Sequence, residues 1–209
     1  MKLVALLSSG IDSPVATYLL LKKADEIILV HADNRPFTDN REVENFIKIA
    51  KHLKKQSKTK IKAYIVPHGP SLESYRHNSN KRFTCVFCKR MLLRYAEKIA
   101  EKEGAEAIIM GDSLGQVASQ TLQNIRTIES AINMPILRPL IGFDKEDVIK
   151  IAKEIGTYDL SILPSDGCKA VPDNPATMAK IGQITAEESR IPIDELVINS
   201  INSAELIEI

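Results

Sequence analysis

The feature that most constrains this chain is a regular alternation of short apolar runs with amphipathic stretches. Lys2–Leu7 is an apolar run of strand length closed by Ser8-Ser9-Gly10, and the following segment from Ser13 to Lys23 sets Val15, Leu19 and Leu20 roughly on one helical face. The unit then repeats, with Glu26–His31, Ile61–Val66 and Ala105–Met110 reading as strands and Asn40–Gln56 and Phe87–Lys102 as helices. Strands alternating with helices imply a parallel sheet covered by helices on both faces, an α/β fold.

Further along, Leu114–Ile132 reads as one helix, Ile136–Leu137 as a short strand and Lys145–Ile155 as a helix ended by Gly156. After Pro164 turn chemistry takes over in Ser165-Asp166-Gly167-Cys168 and Pro172-Asp173-Asn174-Pro175, with modest helical patterning near Thr177–Ile184 and Ala186–Ser189. The expected organisation is one domain over residues 1–177 and a short C-terminal tail over 178–209.

Lys and Arg total 28 against 27 Asp and Glu, a net charge of +1. A chain that held nucleic acid by phosphate neutralisation alone would carry a domain-wide basic excess, so an RNA substrate here requires local patches or a partner. Apolar stretches such as Leu3–Leu7 and Ile27–Val30 are too short to span a bilayer and no leader precedes them, which leads to the expectation of a cytoplasmic protein without membrane attachment. In that setting the three cysteines, Cys85, Cys88 and Cys168, point to metal or catalytic thiols rather than disulfides.

Ser8-Ser9-Gly10-Ile11-Asp12-Ser13 joins the first strand to the first helix, where free backbone N–H groups and the helix dipole favour an anion. It lacks the lysine of a P-loop and the spaced glycines of a dinucleotide fingerprint. Taken alone, the loop is equally a Ser/Asp helix cap without a ligand.

The loop resembles the Ser-Gly-Gly-x-Asp-Ser signature of PP-loop ATP pyrophosphatases, which adenylate a substrate and release pyrophosphate. With Ser9-Gly10-Ile11-Asp12-Ser13-Pro14-Val15-Ala16, Gly115-Gln116-Val117-Ala118-Ser119-Gln120-Thr121, Arg138-Pro139-Leu140-Ile141 and Ile155-Gly156-Thr157-Tyr158, the chain is similar to the catalytic domain of tRNA 4-thiouridine synthetases, of the archaeal type without a rhodanese domain. Ser9 replaces the first glycine of the usual pair, which is tolerable if that residue needs no positive φ. The family's N-terminal RNA-binding region and rhodanese domain have no counterpart in these residues, so a separate RNA-binding partner or a homodimer is expected to help hold tRNA.

The resemblance implies an ATP site lined by Leu6 and Leu7, His31 and Ala32, Lys89, Gly111 and Gln120, with Ser8, Ser9, Gly10 and Ser13 supplying donors to the departing pyrophosphate. Strand ends at the carboxyl edge of a parallel sheet suit this role, Lys89 offers positive charge and Gly111 allows close backbone approach. By itself His31 is also simply a hydrogen-bonded histidine at a strand end, and Gln116, Ser119, Gln120 and Gln123 are the wet face of one helix. Asp12 is assigned as catalytic, binding the Mg2+ that bridges the phosphates.

Cys85 and Cys88 are three apart near a helix start and can face one point. The spacing alone also suits buried structural cysteines, a redox pair or part of a zinc site with His77. Three thiolates leave one iron of a 4Fe-4S cluster open to an outside ligand such as hydrosulfide, and the pattern is similar to thiolating PP-loop enzymes that use a three-cysteine iron-sulfur cluster. Cys168 is alternatively the thiol that exchanges with a persulfide donor, the role it aligns with in rhodanese-bearing members. Lys48, Lys51, Lys54, Lys55, Lys58, Lys60 and Lys62 read either as an RNA patch or as a solvated helix face, and Arg76, Lys81, Arg82, Lys89, Arg90 and Arg94 around the CxxC are candidates for substrate phosphate. The function expected is ATP-dependent sulfur transfer to a nucleobase, uridine in tRNA; an amide-forming ligase of the same fold and a non-catalytic binding module stay open as alternatives.

Overall fold

The computed structural model describes residues 1–209. Its strands are β1 (Lys2–Leu6), β2 (Glu26–Asp33), β3 (Lys60–Pro67), β4 (Ala107–Ile109), β5 (Ile136–Leu137) and β6 (Glu205–Ile207). They form one sheet in the order β5-β4-β1-β2-β3-β6, parallel throughout except for β6, which runs antiparallel to β3. The parallel sheet expected from the strand–helix alternation is thus present, with an antiparallel edge added.

Strand β1 shows why both faces must be covered. Its alternating side chains go to opposite sides: Leu3, Ala5 and Leu7 join one buried cluster, while Val4 and Leu6 join another. The first cluster is closed by α1 (Asp12–Leu21), α2 (Asn40–Lys55), α6 (Lys145–Glu154) and α7 (Tyr158–Ser161). The second is closed by α3 (Gly69–Asn78), α4 (Thr84–Glu103), α5 (Leu122–Glu129), α8 (Ile181–Glu188) and α9 (Ile193–Asn202).

Helix α2 illustrates the local logic. Asp39 caps its start by accepting from Arg41 N at 3.0 Å, and His52, Lys54 and Lys55 lie in its last turn, where cations suit the helix dipole. Phe46, Ile49, Ala50 and Leu53 form a fully buried stripe, with each large side chain contributing about 1.5–3 kcal/mol. Lys48, Lys51, Lys54 and Lys55 occupy the exposed side, as the solvated-face reading requires. Helix α4 ends at Gly104 and α6 just before Gly156, both left-handed with φ of 70° and 72°. No helix is long and apolar enough to cross a membrane.

Several elements differ from the sequence reading. Leu114–Ile132 is not one helix: Gly115 takes φ 77°, its N–H bonds to Gln120 O at 2.9 Å around a 3-10 turn at Ala118–Gln120, and Thr121 caps the start of α5 by accepting from Asn124 N. Gln116, Ser119, Gln120 and Gln123 therefore do not share one helical face. Helix α4 begins at Thr84 rather than Phe87, which brings both Cys85 and Cys88 onto it. Helices α3, α7 and α9 and strand β6 have no counterpart in the sequence reading. Residues 178–209, read as a tail, fold onto the sheet: Ala179, Ile184, Ile191 and Val197 are buried in the second cluster, and β6 pairs with β3 through Ala63–Ile207.

That C-terminal stretch is tied down by a buried charge cluster. Arg90 Nε and Nη2 donate to the two carboxylate oxygens of Glu188 at 2.8 and 3.0 Å, Arg94 binds the same carboxylate at 2.8 Å through both terminal nitrogens, and Arg90 Nη1 reaches Thr127 O at 2.5 Å. Arg90 and Arg94 thus join α4 to α5 and α8, and are corrected from substrate-phosphate candidates to structural residues. Arg76 is likewise engaged, donating to Ala170 O at 2.7 Å. Burial pushes the Glu188 carboxyl up, but hydrogen bonds from Arg94 and Arg90 outweigh this and hold it below its ordinary value of 4.5. Its contribution is therefore present above that value and lost as pH falls through the lowered one. Glu188→Ala strands two arginines, one of them buried, and is expected to cost about 3–5 kcal/mol in urea denaturation at pH 7. The difference from the parent chain should shrink as the titration is carried to acid pH.

Candidate active site

All five parallel strands end on one edge of the sheet, and a cleft of about 290 Å³ opens there between the ends of β1, β2 and β4. Ligands of open parallel sheets bind at this edge because the loops between strand ends and helix starts leave backbone groups unpaired. Leu7 N still bonds to Val30 O at 2.9 Å, after which the chain turns sharply into α1. Ser8 N donates to Ser13 Oγ at 2.9 Å, and the Ser8 and Ser13 hydroxyls lie 3.0 Å apart, so the loop is closed by its own side chains. The residue preceding α1 is Ile11 and no side chain caps that helix, so the helix-cap reading of the loop is not realised. Asp12, the first helical residue, faces the cleft and pairs with Lys145 Nζ at 2.5 Å.

Ser9 has no positive φ, which meets the condition its departure from the glycine pair imposed. Leu6, Leu7, Ser8, Gly10, Asp12 and Ser13 line the cleft; Ser9 does not, and its hydroxyl is spent on the carboxylate of Glu42 at the cleft's rim. Gly111, two residues beyond β4, lines the cleft as expected and also packs closely on the β1 loop. A Cβ there would sit 2.7 Å from Ser13 N and Cα and 2.9 Å from Asp12 C, so the backbone that its missing side chain admits is that of the β1 loop.

At the end of β2, His31 and Ala32 line the cleft. The His31 ring stacks on Phe46 at 4.5 Å, and its Nδ1 lies 3.0 Å from Leu7 O. A carbonyl only accepts, so Nδ1 carries the proton. Burial lowers the pKa despite that bond, keeping the ring neutral with Nε2 as an acceptor. His31 is thus both the hydrogen-bonded strand-end histidine and a wall of the cleft.

Across the cleft, Lys89 Nζ lies 2.6 Å from Asp112, whose second oxygen accepts from Arg138 Nε at 3.3 Å, while Gln120 Nε2 reaches Asp112 at 3.5 Å. Burial raises the Asp112 carboxyl, but Lys89 and Arg138 outweigh it and hold its pKa below the ordinary value. Gln120 Oε1 is buried without a partner, so an acceptor is left for a donor from outside the protein. Of the glutamines weighed with it, Gln123 is spent on Ala179 O at 3.2 Å and Gln116 does not line the cleft.

Asp112, Lys145, Glu42, Asn34 and Thr38 were missed in the sequence. Asp112 carried a usable signal, since it follows Gly111 at a strand end. Lys145 carried none, because it meets Asp12 across 133 residues.

Cys85 and Cys88 stand near the start of α4, and Cys168 follows Gly167 in the loop beyond α7; all three are free and half-buried. Burial raises the Cys85 and Cys88 thiols, with Cys168 adding to both and Lys89 opposing. The three sulfurs thus lie within each other's electrostatic reach, next to a lysine that lines the cleft. No group of three or more His, Cys, Asp or Glu side chains stands at metal-ligand spacing in this structure.

A parallel sheet with an anion-ready loop after β1 and a polar cleft at its carboxyl edge defines an α/β domain of the PP-loop ATP pyrophosphatase type. A family model described as thiamine biosynthesis protein (ThiI) matches residues 1–193, and the chain belongs to that family. It is 47% identical over 197 residues to a probable tRNA sulfurtransferase of Methanothermobacter thermautotrophicus, covering 94% of this chain and 51% of that protein. A second relative of the same description, from Methanosarcina mazei, is 40% identical, with coverage of 100% and 52%. The chain spans about half the length of the curated relatives it matches. Among solved structures it superposes on a 4-thiouridine synthetase in complex with RNA and ATP with a TM-score of 0.93 at 38% identity, covering 99% of this chain and 55% of that one. An NMN synthetase from Francisella tularensis, 14% identical with a TM-score of 0.60 over 96% of this chain and 83% of its own, shares the fold.

Gly111→Ala forces the β1 loop off the end of β4 and is expected to destabilise the chain by about 1–3 kcal/mol. Gly142→Ala, where an added Cβ meets nothing within 4 Å, should stay within about 0.5 kcal/mol of the parent in the same denaturation experiment.

Proposed function

We propose that this chain is the catalytic unit of an ATP-dependent tRNA sulfurtransferase that replaces a uridine carbonyl oxygen with sulfur, acting in the cytoplasm. The observation that carries this reading is the pairing of an anion-ready cleft with three neighbouring thiols in a chain of this family. The relative solved with RNA and ATP supports both substrates. A carboxylate-activating ligase has no use for the thiols, and for that reason the ligase reading is set aside.

In this reading Leu6, Leu7 and Ala32 enclose the adenosine, His31 Nε2 and the free Gln120 Oε1 accept its hydrogen bonds, and Lys89 and Lys145 face the phosphates. Ser8, Gly10 and Ser13 offer hydroxyl and backbone donors at the start of α1, where the helix dipole favours the negative charge of pyrophosphate. The uracil oxygen attacks the α-phosphorus, the bond to pyrophosphate breaks, and the base is left adenylated. A sulfur nucleophile then attacks the activated carbon, and AMP departs with the original oxygen.

Asp12 suits Mg2+, because magnesium at such sites takes one or two carboxylates and completes its shell with phosphate oxygens and water. When bound it would neutralise charge on the transferring phosphoryl group. Cys85, Cys88 and Cys168 supply soft sulfur donors within each other's electrostatic reach though not drawn in to the spacing of a single metal ion, and burial and thiolate repulsion raise the Cys85 and Cys88 thiols in a way a bound cation would relieve. That chemistry fits a 4Fe-4S cluster, which with three protein ligands leaves one iron able to take up sulfide. A net charge of +1 gives these residues little hold on RNA, so a separate RNA-binding partner or a second copy strengthens it.

Two outcomes test the reading. Asp12→Asn should fold normally yet release pyrophosphate about 100- to 1,000-fold more slowly in the presence of tRNA, the scale of losing one electrostatic contact to a transition state. Pyrophosphate release close to the parent rate would favour a non-catalytic binding module. Protein prepared without oxygen should be brown and contain iron and acid-labile sulfide, each of Cys85→Ser, Cys88→Ser and Cys168→Ser should lose the colour, and nucleoside mass spectrometry should find thiolated uridine in the treated tRNA. Colourless protein of full activity would assign Cys168 to persulfide exchange, and stoichiometric zinc without sulfide would refute the cluster.

A further inference from the structure

One carboxylate joins the nucleotide loop to the cysteine loop. Glu42 lies in the first turn of α2 and lines the cleft. Its Oε2 accepts from the hydroxyl of Ser9 in the β1 loop, and its Oε1 accepts from Ser165 Oγ at 2.5 Å, three residues before Cys168. A carboxylate only accepts, so both hydroxyl protons are committed to it and each serine is oriented by the same group. The remainder of the cysteine loop is fastened to the same end of α2. Arg41 Nη2 donates to Asp166 at 2.5 Å, Asp166 N donates to Asp39 at 3.2 Å, and Lys169 N donates to Phe37 O at 2.8 Å. Ser9 stands where the loop signature has glycine, which has no hydroxyl to offer, so the bridge depends on this chain's own residue.

We propose that Glu42 is a positioning residue that couples occupancy of the β1 loop by a nucleotide triphosphate to the ordering of the Cys168 loop. Phosphates bound by the backbone N–H groups of the β1 loop restrict its motion and hold the Ser9 hydroxyl on Glu42. The carboxylate is then fixed for Ser165, and ordering the second loop costs less conformational entropy than it does without nucleotide. The coupling is reciprocal, because two sites that share one equilibrium must favour each other by the same factor. Its consequence for the reaction is timing: the sulfur-handling loop is settled against the start of α2 when the activating nucleotide is present.

The inference rests on the nucleotide reading above, and the experiment separates the two. Backbone hydrogen exchange of residues 165–169 is followed by mass spectrometry with and without magnesium and a non-hydrolysable ATP analogue. In the parent chain saturation should slow exchange there about tenfold, and in Ser165→Ala that protection should disappear while the analogue still binds saturably, weakened by no more than the same factor of about ten. Ser165→Thr, which keeps a hydroxyl, should restore it; a merely structural loss would show as faster exchange with and without nucleotide alike. Equal protection in Ser165→Ala and parent, or no protection in a parent chain that binds the analogue saturably, overturns the coupling. A parent chain that does not bind the analogue overturns the nucleotide reading and the coupling with it.

Discussion

The constraint on which the cleft depends is the passage of the β1 loop over the end of β4, where Gly111 leaves no room for even a methyl group against the backbone of Asp12 and Ser13. Because that backbone is pressed onto the sheet, the start of α1 is held at the carboxyl edge rather than in solvent, and Asp12 and Ser13 line the cleft. The same edge continues outward: Met110 N bonds to Leu137 O at 2.9 Å, which fixes β5 and carries Arg138 to Asp112. The cleft is therefore a product of close backbone packing, and its charged side chains are arranged around a frame set by glycine.

Its electrostatics follow from pairing. Lys145 is matched by Asp12, and Lys89 and Arg138 by Asp112, so the cleft concentrates cations without a net basic chain. Each lysine is held by a carboxylate of the cleft, Lys89 by Asp112 and Lys145 by Asp12, which reduces the entropy lost when an anion takes it up. Burial keeps His31 neutral, and it contributes a hydrogen-bond acceptor instead of a further cation. The arginines nearby on α4 serve a different end. Arg90 and Arg94 spend their charge on Glu188, and in doing so lock the C-terminal helices to the face of the sheet that carries the cysteines' helix.

Local pattern was enough to place the five parallel strands, most of the larger helices and the loop that faces the ligand edge, because period-two and period-3.6 patterns are local and each strand of a doubly covered sheet must be apolar along its length. The resemblance to PP-loop enzymes, not local pattern, marked Leu6, Leu7, Ser8, Ser9, Gly10, Asp12, Ser13, His31, Ala32, Lys89, Gly111 and Gln120, and all of these but Ser9 line the cleft. The sequence misled where local pattern and tertiary environment diverged. Leu114–Ile132 has helical spacing, yet Gly115 in the left-handed region turns its first part into a loop. Helix α3 carries too few apolar positions to show a stripe and forms because the second cluster covers Tyr75, whereas α9 has Ile193, Leu196, Val197 and Ile201 at helical spacing, a stripe the sequence reading overlooked. Only the tertiary structure decided the pairings that span the chain: Asp12 with Lys145, Arg90 with Glu188, Ser9 and Ser165 with Glu42, and β6 with β3. A charge or hydroxyl in a sequence does not name its partner, since those partners meet through the packing of elements that periodicity can identify but cannot place.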